Sequence, residues 1–174
     1  VGIVMTAGDT VDYRLDERIE LFCAGETSGG SMIKRLKRIM NIRKYLKDAG
    51  ESIIISFGPG TSFFMIMADL YLKHPFIISE RNDPAACPCP RLRNLFYRRA
   101  KRLVFQTGAA RDCFPKAIKK KGCVIANPIK KELPEAYGGE RKKTVVAVGR
   151  LEEQKNYSLL LEAFGLFGKE YPEY

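Results

Sequence analysis

Ser52-Ile53-Ile54-Ile55-Ser56-Phe57 is an apolar, β-branched run of strand length, and Gly58-Pro59-Gly60 cuts it off. Thr61 to Lys73 after it reads as a helix and Pro75 to Ser79 as the next strand. A buried strand, a helix and a second strand in succession form a βαβ unit. Such units pack around a parallel sheet whose faces the helices cover.

The same alternation extends in both directions. Upstream, Val1 to Thr6 and Arg18 to Cys23 read as strands, and a loop holding Gly25, Gly29 and Gly30 leads to Ser31, a helix N-cap. Met32, Ile33, Leu36, Ile39, Met40 and Leu46 then recur at helical spacing until Gly50 stops the helix. Downstream, the Pro75–Ser79 strand ends in Glu80-Arg81-Asn82-Asp83-Pro84, and the stretch from Pro84 to Pro90 is expected to be a loop. Leu92, Leu95, Phe96 and Ala100 mark a short basic helix. Leu103-Val104-Phe105 is a strand ending at Gln106-Thr107, a helix follows through Phe114, and Gly122 to Ala126 is a further strand. The expected fold class is α/β, a Rossmann-like parallel sheet flanked by helices. In such sheets ligands gather at the carboxyl ends of the strands.

Three segments are expected. Residues 1–127 form the first Rossmann-like domain, residues 128–142 a linker with the proline, glycine and charge of Asn127-Pro128 through Gly138-Gly139-Glu140, and residues 143–174 the start of a second domain. The last segment holds one apolar β run, Lys142 to Val148, and one helix carrying Leu159, Leu160, Ala163, Phe164 and Phe167. One βα unit cannot bury both its faces, so it reads as the opening of a truncated domain.

Composition limits the function classes. With 174 residues and 45% hydrophobic content the chain can bury one sizeable core. No apolar run approaches the roughly 20 residues that span a bilayer, and Val1 to Met5 lack the basic flank of a signal peptide. The expectation is a cytoplasmic protein, membrane-associated at the inner face through its charge. Lys+Arg 30 against Asp+Glu 20 leaves +10, grouped at Lys34–Lys44, Arg91–Arg102 and Lys116–Lys121. That charge suits polyanions or an anionic membrane and suits a solvated helix face equally. Nucleic acid ranks last as a partner, because the aromatic residues sit in apolar core patterns and do not interleave with the arginines. Five cysteines without repeated CxxC spacing argue against a disulfide framework and a zinc site. The single histidine, His74, precedes Pro75 and reads as a surface loop residue.

The run Gly149-Arg150-Leu151-Glu152-Glu153-Gln154-Lys155-Asn156 lies between the last β run and the last helix. A glycine that lets the backbone turn, a helix N-terminus with free N–H groups, and two cations are the parts of a diphosphate clamp. An ordinary solvated basic turn has the same composition.

In order and spacing, Ile53-Ile54-Ile55-Ser56-Phe57, Ser79-Glu80-Arg81-Asn82-Asp83-Pro84, Val104-Phe105-Gln106-Thr107, Val124-Ile125-Ala126-Asn127-Pro128, and Val148-Gly149-Arg150-Leu151 with Gln154-Lys155-Asn156 resemble family 4 of the retaining, GT-B glycosyltransferases. The resemblance covers most of the chain. It implies two Rossmann-like domains facing each other across a cleft, the acceptor held mainly by the N-terminal one and a nucleotide-sugar, UDP-linked, by the C-terminal one. Gly149, Arg150 and Lys155 would hold the donor diphosphate, with no metal and no further cofactor. It also implies a hexosyl- or N-acetylhexosaminyltransferase that builds a surface glycan on a lipid-linked acceptor, of which this chain is a piece inactive alone.

The sequence departs from the family in three places. A pair of glutamates seven residues apart would fall after Tyr174, and a first strand with its glycine-rich turn would fall before Val1. Where many relatives carry a histidine facing the donor sugar, this chain has Glu80-Arg81. Glu80, Arg81 and Asn82 are therefore cleft candidates of open role, and a plain strand-end turn is the competing reading. The alternative function is a non-catalytic module that binds anionic lipid or sugar-phosphate through the basic helices.

Overall fold

A computed structural model of the chain describes residues 1–6, 8, 11, 14–25, 31–129 and 131–172. The Gly29-Gly30 part of the expected glycine loop lies outside them. The chain divides into two compact units, Val1–Ile129 and Lys130–Tyr174.

In the first unit, β1 (Gly2–Met5) and β2 (Glu20–Cys23) pair in parallel, and a second parallel sheet runs β3 (Ile54–Phe57), β4 (Phe76–Glu80), β5 (Arg102–Phe105), β6 (Gly122–Val124). Neighbours in that sheet are consecutive in sequence, with registers Ile55 to Ile77, Ile78 to Leu103 and Val104 to Cys123. Helices precede each later strand: α1 (Met32–Asp48) before β3, α2 (Pro59–Ala68) before β4, α3 (Pro90–Tyr97) before β5, and α4 (Gly108–Asp112) with α5 (Lys116–Lys119) before β6. The α/β, Rossmann-like class expected from the sequence is the class observed.

Strand parity builds the core. Ile54, Phe76, Ile78, Leu103 and Phe105 are buried together with Ile42 and Leu46 of α1 and Met65 and Ile66 of α2. On the opposite parity Ile53, Ile55 and Phe57 are more than half exposed, so the Ser52–Phe57 strand is buried on one face only. Full burial of a parallel strand needs a layer on both faces, and among the described residues the second face of β3 has none.

Two helices begin earlier than their apolar patterns suggest, both at a proline. Pro59 and Pro90 occupy the first turns of α2 and α3, where a missing N–H costs nothing and the fixed φ fits the helix. Gly58 caps α2 at φ 75, a left-handed value that favours glycine, so the Gly-Pro-Gly break is itself the helix start.

The second unit corrects one expectation. The Lys142–Val148 run forms no strand, and Val145, Val146 and Val148 are exposed. β-branched composition gives a strand only where a neighbour completes the hydrogen-bond ladder, and among the described residues this run has none. A 3-10 turn at Glu153–Lys155 and α6 (Tyr157–Glu170) follow.

Candidate functional site

The carboxyl ends of β4 and β5 open onto a cleft of ≈ 320 Å³ lined by Glu80, Arg81, Asn82, Gln106, Thr107 and Cys113, among others. Each loop is held by its own chemistry. Asp83 caps the 3-10 turn at Pro84–Ala86 by accepting from the Ala85 N–H at 2.9 Å, and Thr107 caps α4 by accepting from the Ala110 N–H at 3.0 Å. The Gln106 and Asn127 amides meet at 2.9 Å. In the Gln106 orientation that satisfies its neighbours, its nitrogen donates to the Arg81 carbonyl and its oxygen accepts from Arg81 Nε, each at 3.2 Å.

The three cleft candidates therefore separate. Arg81 and Asn82 are exposed at the rim, whereas Glu80 is 2% exposed. Its carboxylate accepts from the Tyr97 hydroxyl at 2.7 Å and from the Asn82 N–H at 3.2 Å. Burial, with the Glu80 carboxylate adding to it, pushes the Tyr97 hydroxyl far above its ordinary pKa, so it stays a proton donor. Buried Arg93 donates to the Pro84 carbonyl at 2.8 Å and lies 4.2 Å from the centre of the Phe114 ring, which stacks on Tyr97. Arg93 and Tyr97 are the residues that the sequence reading missed. Strand parity carried the signal for Glu80, because it shares the inward side of β4 with Phe76 and Ile78.

A larger hollow of ≈ 770 Å³ opens at the amino ends of β3 and β4, against Leu46, Gly50, Ser52, Leu72, His74 and Pro75. It is the poorer candidate, because parallel α/β sheets bind ligands at the opposite edge. Its histidine is also committed. His74 is buried, not on the surface as expected, with Nδ1 against Asp69 and Nε2 at 2.9 Å from the Gly50 carbonyl, while Arg99 donates to Asp69 at 3.0 Å. Burial alone would lower the His74 pKa; the hydrogen bonds to Asp69 and to the Gly50 carbonyl outweigh it and raise the pKa. Among the described residues no group of three His, Cys, Asp or Glu side chains comes together as a metal site.

In the second unit Gly149 is not in the left-handed region that a sharp glycine turn would use. It is small for another reason: a Cβ there would stand 2.8 Å from the Tyr157 hydroxyl and 3.8 Å from the Lys155 stem. Gly149 and Lys155 thus lie side by side. Arg150 is exposed and reaches Glu152 at 2.7 Å. Asn156, at φ 47, caps α6 by accepting from the Leu159 N–H at 3.3 Å, so the helix starts two residues after Lys155.

No family model matches the chain. Over 148 residues it is 26% identical to a curated protein of Campylobacter jejuni subsp. jejuni serotype O:2, the GalNAc-α-(1→4)-GalNAc-α-(1→3)-diNAcBac-PP-undecaprenol α-1,4-N-acetyl-D-galactosaminyltransferase, covering 80% of this chain. The chain spans 40% of the length of that relative. Among solved structures, Acinetobacter baumannii MurG superposes with a TM-score of 0.49 at 21% identity, over 67% of this chain and 32% of that one. In sequence the chain is thus similar to a glycosyltransferase, and its first unit is a Rossmann-like parallel sheet flanked by helices.

Proposed function

We propose that the chain is part of a family 4 glycosyltransferase that moves a hexose or N-acetylhexosamine from a nucleotide-sugar to a lipid-linked glycan. The observation that carries this reading is the cleft at the carboxyl ends of β4 and β5, in a chain similar to a transferase acting on a glycan attached to PP-undecaprenol. Its rim offers the amides of Asn82 and Gln106, the Thr107 hydroxyl and the Arg81 guanidinium. These groups suit the hydroxyl and amide groups of a sugar.

In this reading residues 1–127 hold the acceptor, residues 128–142 connect, and residues 143–174 open the donor domain, where Gly149 makes room and Arg150 and Lys155 hold the diphosphate. The donor is UDP-linked and the configuration at the transferred sugar is retained. As the sugar–phosphate C–O bond breaks, the electron pair leaves on the diphosphate, the acceptor hydroxyl oxygen bonds to the sugar carbon, and its proton passes to the departing phosphate oxygen. Fixed cations stabilise the growing phosphate charge more in the transition state than in the ground state, a role that requires no metal.

Contact with an anionic membrane at the cytoplasmic face would bring the protein to a lipid-linked acceptor. Among the described residues no helix is long and apolar enough to cross a membrane. On α1, Met32, Ile33, Leu36 and Met40 are exposed beside exposed Lys34, Arg35 and Lys37, the mixture that lies in a lipid headgroup layer. The same face supports the alternative of a non-catalytic anionic-lipid module.

The test is transfer from labelled nucleotide-sugars to a lipid-diphosphate glycan, with chelator present, by the whole protein and by the 174-residue chain. The expected result is product with retained configuration from the whole protein and none from the chain. Binding of anionic vesicles without any transfer by the whole protein favours the non-catalytic reading.

A further inference from the structure

The loop at the rim of the cleft rests on a buried stack of polar and aromatic groups that no sugar chemistry requires. Glu80 ends β4 with both carboxylate oxygens engaged, Oε2 by the Tyr97 hydroxyl and Oε1 by the Asn82 N–H. Arg93 grips the Pro84 carbonyl on the far side of the same loop. Tyr97 and Arg93 both belong to α3, one turn apart, and both pack on the Phe114 ring, Tyr97 stacked with centroids 5.8 Å apart. Four residues of loop, Arg81 to Pro84, are thus fixed at each end by a helix that does not itself line the cleft.

We propose that Glu80, Tyr97 and Arg93 are positioning residues, a buried clamp through which α3 sets the Arg81–Asn82 rim, and that the Glu80 carboxylate is not a reacting group. The assignment rests on the reading of this edge as the acceptor site. A carboxylate acting as nucleophile or base must present a free oxygen to substrate. Glu80 instead faces inward beside Phe76 and Ile78, and its oxygens have protein partners. The guanidinium of Arg93, buried as well, is spent on the Pro84 carbonyl and the Asn94 amide oxygen.

The two roles separate in Glu80→Gln. An amide keeps an oxygen for the Asn82 N–H and offers its nitrogen to the Tyr97 oxygen, so it preserves the clamp while abolishing nucleophile and base. In the whole protein, Glu80→Ala is expected to raise the acceptor KM by about tenfold or more with the donor KM unchanged, since a displaced loop misplaces its contacts. Glu80→Gln is expected to recover most of that loss. Tyr97→Phe keeps the ring on Phe114 but removes the hydroxyl, and exchange of the Asn82 amide is expected to rise about fivefold to tenfold, the size of one lost hydrogen bond. Glu80→Gln as inactive as Glu80→Ala in folded protein overturns the positioning role. Unchanged Asn82 exchange in Tyr97→Phe overturns the clamp. Amide exchange needs no turnover, so absence of transfer by the wild-type protein would sink the transferase reading while leaving the clamp decided on exchange.

Discussion

The buried charged side chains around β4 in the first unit and the cations on the turn of the second follow opposite rules. Asp69, His74, Glu80 and Arg93 are buried in the first unit, at the two ends of β4, each spending its polar atoms on other parts of the protein. Arg150 and Lys155 of the second unit are exposed on a short turn, with Glu152 beside Arg150. Ionic type alone does not separate the two sets. Desolvation does: a charge out of water must be satisfied by architecture, and a charge left in water remains available to a ligand. Substitution should therefore act through the surrounding structure at the buried set, on stability at Asp69 and on loop position at Glu80, and on donor binding at the exposed turn.

The largest effect is expected at Asp69, which is 1% exposed and joins His74 to Arg99. Asp69→Ala leaves the His74 ring and the Arg99 guanidinium without their shared acceptor, and a loss of about 3–5 kcal/mol is expected, the usual cost of breaking a buried pair by removing one partner. Denaturant unfolding measures it. A midpoint within error of wild type would break the contrast at its strongest point. Next come Arg150→Ala and Lys155→Ala, each expected to lower turnover of the whole protein by roughly 10²-fold, the size of losing one fixed donor to a developing anion. Circular dichroism should be unchanged. Full activity in either variant, or a lost fold, would put that residue in the wrong class.

The strand and helix order of the first unit was legible because periodicity and the glycine and proline breaks are local signals, as at Ile53–Phe57 and Gly58-Pro59-Gly60. Pairing is not local. Lys142–Val148 has strand composition and forms no strand, because a ladder needs a second chain segment that composition cannot supply. His74 was misread for the same reason: its acceptors are five residues away at Asp69 and 24 away at Gly50, brought together only when two helix ends close on one another. Glu80 was half legible. Its position in the Ser79–Pro84 motif marked it as a cleft residue, and its parity with Phe76 and Ile78 marked it as an inward one. Only the structure supplies the Tyr97 hydroxyl that reconciles the two.

A smaller effect belongs to His74. Its pKa is raised in the folded state, so its contribution to stability is fully present below the ordinary histidine value of 6.5 and is lost as pH rises through the folded value. Tm should fall across that window. In His74→Gln, which has no proton to lose, the slope should flatten. A Tm that climbs over the same range in wild type, or an unchanged slope in the variant, would mean that the histidine is neutral in the fold and that the Asp69 cluster is held by Arg99 alone.

The smallest expected effect is at Glu152 and gives the finest test of the contrast. Arg150 and Glu152 lie 2.7 Å apart but are 71% and 45% exposed, and pairs in water contribute about 0–1 kcal/mol. If Arg150 serves a diphosphate, Glu152 competes for the guanidinium and repels the same anion, so Glu152→Gln should tighten binding of a nucleoside diphosphate. The factor should not exceed about fivefold, because each 1.4 kcal/mol is tenfold and less than one is available. Salt should shrink the difference, since a screened pair competes less. Stability should not move, in contrast with Asp69→Ala. Calorimetric titration of the whole protein at two ionic strengths measures all of this. Weaker binding by Glu152→Gln would show that the carboxylate holds Arg150 in its working position and does not compete for it, and the exposed turn would then obey the rule of the buried clusters.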